Sequence, residues 1–409
     1  MSELRLAIVS DLHVFDHACS DTHITTSPSL VHYGNDPALD LFDYVTDSGI
    51  KADYLVVGGD MTNKGYSAGL PYAWGLVQKL AMAMGAELVA VPGNHDVVTQ
   101  EPAADIRSHL KALAPSFPSQ DSARDTHFWE HGWTVLEEPT HRILMLDSTI
   151  DFPPFPSVSK ASAAWREYQR SLNCGAFTLK QEAGLDEYLR GADQKINIAV
   201  VHHHPLEHQL KHIFQDTYGP MRRGGDLIDL LTRHSHAGRW LVIHGHKHVP
   251  QLVNGASSSS NAPIVMCAAS LGAGIWAPIN TAARNQFHVV DVTDDNHHSL
   301  GTLLGSVRSA MWCLGEGWIP SPPRGTGLPS ETGFGCVVDH RNLALRCNEE
   351  LNQSGSSMLG FGRLVAAIPE LQFIPPQDFE LLEKAVERDG IEFTRGRDQR
   401  IREIARRVI

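Results

Sequence analysis

Short apolar runs, each closed by a polar cluster, recur along the first three quarters of the chain. Residues 4–10 (Leu-Arg-Leu-Ala-Ile-Val-Ser), 53–59, 87–91, 142–146, 196–201 and 240–243 are rich in Val, Ile and Leu and too short for helices, which predicts buried strands. Residues 264–268 and 286–292 read as later strands without polar tips. Helical spacing falls between the runs. Asp36-Pro37 opens a helix with an aspartate cap and a proline in its first turn, Leu39, Phe42 and Val45 give it an apolar face, and Gly49 ends it. Residues 70–84 and 178–189 also read as helices. Strand–helix alternation of this kind predicts an α/β fold with parallel βαβ units. Residues 14–35, with His17, His23 and His32, and 151–159, with three prolines and two phenylalanines, read as loops over the strand ends.

The pattern changes after about residue 300, which divides the chain into 1–299 and a C-terminal extension, 300–409. Residues 315–335 are rich in glycine and proline. Asp378 is expected to cap a helix running to Arg388, and Ile401, Ile404, Ala405 and Val408 stand at the spacing of a last helix. Arg395, Arg397, Arg400, Arg402, Arg406 and Arg407 would form its solvated basic face or a contact for an acidic partner.

Composition narrows the class. A chain of 409 residues with 42% hydrophobic and 20% charged positions can bury a sizeable core. The net charge of −13 argues against nucleic acid and anionic membrane as partners. Six cysteines without a Cys-x-x-Cys pair suit free thiols in a reducing compartment. No run approaches the ~18 apolar residues of a membrane span, and residues 4–9 are too short for a signal peptide, so a soluble, cytoplasmic protein is expected. Histidine is the outlier, with 23 residues, several clustered directly after strands.

Those strand ends carry the chemistry. Asp11 and His13 fall on one side of an extended segment, as do His246 and His248. Gly59 lets the backbone approach something closely before Asp60. Pro92-Gly93 stops a strand and projects Asn94, His95 and Asp96. Carboxylates, an amide and imidazoles beyond the carboxyl ends of strands suit a metal site.

The ordered set Asp11-Leu12-His13, Gly59-Asp60, Gly93-Asn94-His95-Asp96, His203-His204-Pro205 and Gly245-His246-Lys247-His248 resembles the calcineurin-like metallophosphoesterase family over about residues 4–292. The resemblance implies a four-layer α-β-β-α sandwich of two mixed sheets flanked by helices. It also implies two transition metal ions, divalent or mixed-valence, with Mn, Fe, Zn or Co suiting N/O donors. One ion would take Asp11, His13 and His248, the other Asn94, His203 and His246, with Asp60 bridging. His203 is selected because it stands two before Pro205; His202 and His204 fit if the strand register differs. The chemistry implied is in-line attack on phosphorus by a water activated between the ions. His95 would protonate the leaving oxygen, and Asp96 would orient the imidazole and keep it protonated. Segments 6–13, 55–63 and 91–96 are most similar to the cyclic-nucleotide phosphodiesterase branch, so a cyclic nucleotide or other small phosphodiester is the expected substrate. The alternatives are a phosphomonoesterase, protein phosphatase or nuclease of the same fold, and a non-catalytic scaffold.

Overall fold

The computed structural model describes residues 2–17, 19–27, 33–99, 102–214, 218–255, 261–294, 303–323 and 325–407. His32 and Val408 lie outside the described residues. Strands β1 (Ser2–Val9), β2 (Tyr54–Val57) and β3 (Glu87–Ala90) are followed by β4 (Trp133–Glu137), β5 (His141–Leu146), β6 (Ile196–Val201), β7 (Trp240–His244), β8 (Gln251–Asn254) and β9 (Ile264–Cys267). The chain then returns through β10 (Gln286–Asp294), β11 (Leu304–Cys313), β12 (Gly317–Pro320) and β13 (Glu331–Phe334).

Two mixed sheets result. The first has the order β12-β11-β10-β1-β2-β3, with β13 also pairing β11, so it continues past residue 300. The second has the order β4-β5-β6-β7-β9-β8. In the first, β1, β2 and β3 are parallel, and β10 runs antiparallel to β1. In the second, β5, β6, β7 and β9 are parallel.

Alternation along the second sheet builds both of its faces. Ile143, Met145, Ile198, Val200, Leu241 and Ile243 join one core with Ile8, Val56 and Val89 of the first sheet. Their neighbours Leu144, Leu146, Ala199, Val201 and Val242 join another with Leu185, Leu189, Leu227 and Leu231, from helices Leu179–Arg190 and Gly224–Arg233. Strands covered on both faces need apolar residues at consecutive positions, which explains the unbroken runs in the sequence. On the far side of the first sheet lie helices Pro37–Asp47 and Leu70–Met84, which bury Leu41, Val45, Trp74, Val77 and Leu80. Asp36 caps the first of these, accepting from the N–H groups of Ala38 and Leu39. The architecture is the four-layer sandwich with a C-terminal extension.

The extension has its own core. Strands β14 (Met358–Gly360), β15 (Ile391–Arg395) and β16 (Ile401–Arg406) form a sheet of order β14-β16-β15. Helices His340–Gln353 and Pro376–Arg388 pack on it, burying Leu343, Cys347, Leu351, Leu382, Val386, Ile391 and Ile404. The predicted last helix is therefore a strand. Residues 396–400 close a turn between β15 and β16, with Gly396 N–H donating to the carbonyl of Arg400, and pairing with a strand so near in sequence overrides the helical spacing. Three of the six arginines are held within the extension, Arg395 by Glu383 at 2.8 Å, Arg402 by Asp398 at 2.6 Å and Arg407 by Glu392 at 3.1 Å, and Arg400 reaches Glu331 of β13 at 3.9 Å. Asp378 sits inside the first turn of its helix, two residues past its first residue, and Pro375 takes the cap position. All six cysteines are free, and among the described residues no helix is long and apolar enough to cross a membrane.

Candidate metal centre

The register of the first sheet sets three strand tips side by side, since Val9 pairs with Val57 and Val57 with Ala90. Asp11, Asp60 and Asn94 follow those ends, and backbone bonds tie the loops, Asp11 N–H to Gly59 O at 2.9 Å and His13 N–H to Asp60 O at 3.0 Å. From the second sheet, the tips of β6 and β7 bring His202, His246 and His248, with Gly245 N–H donating to His202 O at 3.1 Å. Gly93 is required by this crowding, because a Cβ there would stand 2.0 Å from Asp60 Oδ1. Asp11, His13, Asp60, His246 and His248 all have left-handed backbone, with φ between 51° and 73°. Such conformations are uncommon for residues with a Cβ and are held by the surrounding structure.

Two clusters of donor atoms share one carboxylate. In the first, His248 Nε2 lies 3.2 Å from Asp11 Oδ1 and 3.2 Å from His13 Nε2. In the second, Asn94 Oδ1 lies 3.2 Å from His202 Nε2 and 3.1 Å from His246 Nδ1. Asp60 Oδ2 stands between them, 3.7 Å from His13 Nε2 and 3.3 Å from His202 Nε2. Asp11 and Asp60 are 0% and 2% exposed, and among the described residues their ion-pair partners are all histidines. Burial opposes their ionisation, but His248 and His13 hold the Asp11 carboxyl well below the usual range, and His202 and His95 do the same for Asp60. Buried carboxylates without lysine or arginine, facing converging imidazole nitrogens, fit a pair of cations. The orientation of His202 agrees: its Nδ1–H donates to Gly58 O at 2.8 Å, which aims Nε2 at Asp60 and Asn94.

The structure places most of the predicted residues together, with two differences. Within the histidine triplet it is His202, the first residue past β6, that faces the carboxylates. His203 has a ring nitrogen within 4.8 Å of donor atoms of His202 and His246, but in this structure it donates from Nε2 to Leu172 O at 3.0 Å and accepts at Nδ1 from Ser148 Oγ at 2.7 Å. Burial and the neighbouring His202 push its pKa down to about 3. Spacing to Pro205 points to His203; the strand end points to His202. His204 stacks on His246 at 5.7 Å.

The second difference concerns Asp96. Its carboxylate accepts from Gly93 N–H and Thr62 N–H, both at 2.9 Å, and does not reach the His95 ring. His95 is oriented by the backbone of Lys64, whose N–H donates to Nδ1 at 2.9 Å. That bond makes Nδ1 an acceptor, so the proton of the neutral ring sits on Nε2. Burial pushes the His95 pKa down to about 4. Lys64 was invisible in the sequence because it acts through its backbone; Ser148 stands two residues past β5, at a polar strand end of the same kind as the others, but nothing in the sequence tied it to His203.

Comparison with known proteins extends this picture. A family model described as Calcineurin-like phosphoesterase matches residues 4–250. The cAMP/cGMP dual specificity phosphodiesterase MT0825 of Mycobacterium tuberculosis is 28% identical over 204 residues, 44% of this chain and 58% of that protein. The chain thus spans less than two thirds of this relative's length. Similar solved structures include a dimetal phosphatase from Danio rerio, at 13% identity and a TM-score of 0.46, covering 75% of this chain and 95% of that one. Purple acid phosphatase PPD1 from yellow lupin shows 15% identity and a TM-score of 0.47, covering 75% of this chain and 51% of the lupin chain.

Proposed function

The chain belongs to the calcineurin-like phosphoesterase family and is a metal-dependent hydrolase, and from that premise we propose that it hydrolyses a small phosphodiester such as a cyclic nucleotide. The observation that carries the reading is the pair of donor clusters joined at Asp60. One ion would be held by Asp11, His13 and His248, the other by Asn94, His202 and His246, with Asp60 shared. Bound there, two ions of Mn, Fe, Zn or Co would supply Lewis acidity toward phosphoryl oxygens and a water of lowered pKa. The diester preference is supported by the relative that acts on cAMP and cGMP. A cytoplasmic location accords with six free cysteines.

The chain's own groups divide the remaining work. Ser10 Oγ and the N–H of His246 bond the Asp11 carboxylate, at 2.5 Å and 3.1 Å, and hold its oxygens in place. His95 N–H does the same for Asp60 Oδ1 at 2.8 Å. The His95 ring, 4.8 Å from that of His13, stands beside the first cluster, where its Nε2–H can donate to a phosphoryl or leaving oxygen. As a neutral imidazole it supplies a directed hydrogen bond, in place of the imidazolium the motif suggests.

Hydrolysis of bis(p-nitrophenyl) phosphate by metal-reconstituted enzyme tests the assignment, beside cyclic nucleotides and a monoester control. Asp60→Ala and Asn94→Ala are expected to abolish it. Near-normal rates in either variant would overturn the site.

A further inference from the structure

Between the first sheet and the C-terminal extension lies a cavity of about 360 Å³. Leu328 beside the sheet and Leu371, Phe361 and Phe379 from the extension give it an apolar lining. Both phenylalanines also pack on Phe393, at 6.3 Å and 5.3 Å between ring centres, which fixes their planes. At the rim, the side-chain amides of Gln209, Gln372 and Gln377 have no hydrogen-bond partner among the described residues. Each offers a donor and an acceptor.

Charge selects against the phosphoester itself. Glu331, Glu380 and Glu383 line the cavity against one guanidinium, Arg395, which Glu383 already holds at 2.8 Å. Among the described residues Arg400 holds Glu331 at 3.9 Å and Arg395 holds Glu383, so a phosphate would meet paired cations and the further carboxylate of Glu380. Aromatic walls with an amide rim suit a flat, uncharged ring whose edge both donates and accepts.

The cavity also borders the catalytic loops. Gln209 follows the histidine triplet and Gln251 follows His248; Gln209 N–H donates to Gln251 Oε1 at 3.2 Å, and both line the cavity. His208 Nε2–H donates to Val249 O at 2.9 Å, a second tie between the same segments. An occupant therefore touches the chain five residues after His204 and three after His248.

We propose that this cavity is a binding site, separate from the metal centre, for an uncharged nitrogen heterocycle of nucleobase or nucleoside type. Adenosine is the probe, titrated calorimetrically into the Mn-loaded 409-residue chain, with AMP as its charged counterpart. Adenosine is expected to bind with one-to-one stoichiometry, and to bind Asn94→Ala enzyme equally well. Gln377→Ala at the rim and Phe379→Ala in the wall should each weaken binding about tenfold, the scale of one lost stacking or edge contact. Gln377→Ala should leave the hydrolysis rate without adenosine unchanged. On Asn94→Ala enzyme AMP should bind at least about tenfold more weakly than adenosine. The proposal is overturned by absence of adenosine binding, by binding indifferent to both cavity variants or lost in Asn94→Ala, or by AMP binding as tightly as adenosine.

Discussion

Lys64 donates its backbone N–H to Nδ1 of His95 at 2.9 Å. A main-chain donor cannot be protonated or removed by a side-chain change, so it fixes the ring's tautomer as well as its direction. His95→Ala is expected to lower kcat by about 10²–10³, the range for a lost transition-state donor, with the metal content unchanged. Steady-state kinetics beside metal analysis of the same sample decides it. Loss of ions together with activity would make His95 a ligand.

Asp96 acts on the loops. With one carboxylate bonded to the N–H groups of both Gly93 and Thr62, it ties the turn after β3 to the turn after β2. An amide has one acceptor oxygen, so Asp96→Asn should leave one buried N–H unpaired and cost about 1–3 kcal/mol of stability. Urea denaturation of the metal-stripped proteins measures this. Equal midpoints would show that the tie contributes nothing.

His202 and His203 should separate in their effect on metal content. His202→Ala is expected to lose about one ion per chain and nearly all activity. His203→Ala should retain both ions and instead destabilise the protein by about 1–3 kcal/mol, through the exposed bonding needs of Leu172 O and Ser148 Oγ. The opposite result in metal analysis would restore the register suggested by Pro205.

His288, on β10 and far in sequence from every candidate ligand, sets an acid limit. It is 0% exposed, donates from Nδ1 to Ser309 Oγ at 2.9 Å, and burial pushes its pKa down to about 3. The unfolded chain takes up this proton as pH falls through about 6.5, while the folded one does not until about 3. Its contribution to stability is therefore full above the unfolded pKa and declines as pH falls through that window. The slope is at most about 1.4 kcal/mol per pH unit. In chelator, the denaturation midpoint of the wild type should fall more steeply from pH 7 to 4 than that of His288→Asn. Parallel profiles would count against the buried neutral ring.

Much of the fold was legible because it rests on local rules. The runs that became β1, β2, β5, β6 and β7 are continuous because both faces of those strands are covered. Asp36 caps where a capping aspartate should. Most of the centre was legible too, since Asp11, His13, Asp60, Asn94, His246 and His248 each follow a strand. The sequence was silent where a partner came from elsewhere. Three successive histidines differ only in which side of the chain they face, and that depends on where β6 ends. The oxygens of Asp96 bond N–H groups from two loops, one contributed by another strand. The pattern Ile401, Ile404, Ala405 suits a helix or a strand, and only pairing with β15 decides.

The left-handed backbone at Asp11, His13, Asp60, His246 and His248 has a consequence for engineering. Aspartate, asparagine and histidine are among the side chains that best tolerate that conformation, and they are also the donors a transition metal takes. The same residue choice thus answers a steric demand and a chemical one. Grafting these side chains onto the tips of a sheet with ordinary loops would copy the letters without their aim. A transplanted centre would have to carry the bends along with the ligands, and with them the glycines that make room for the bends.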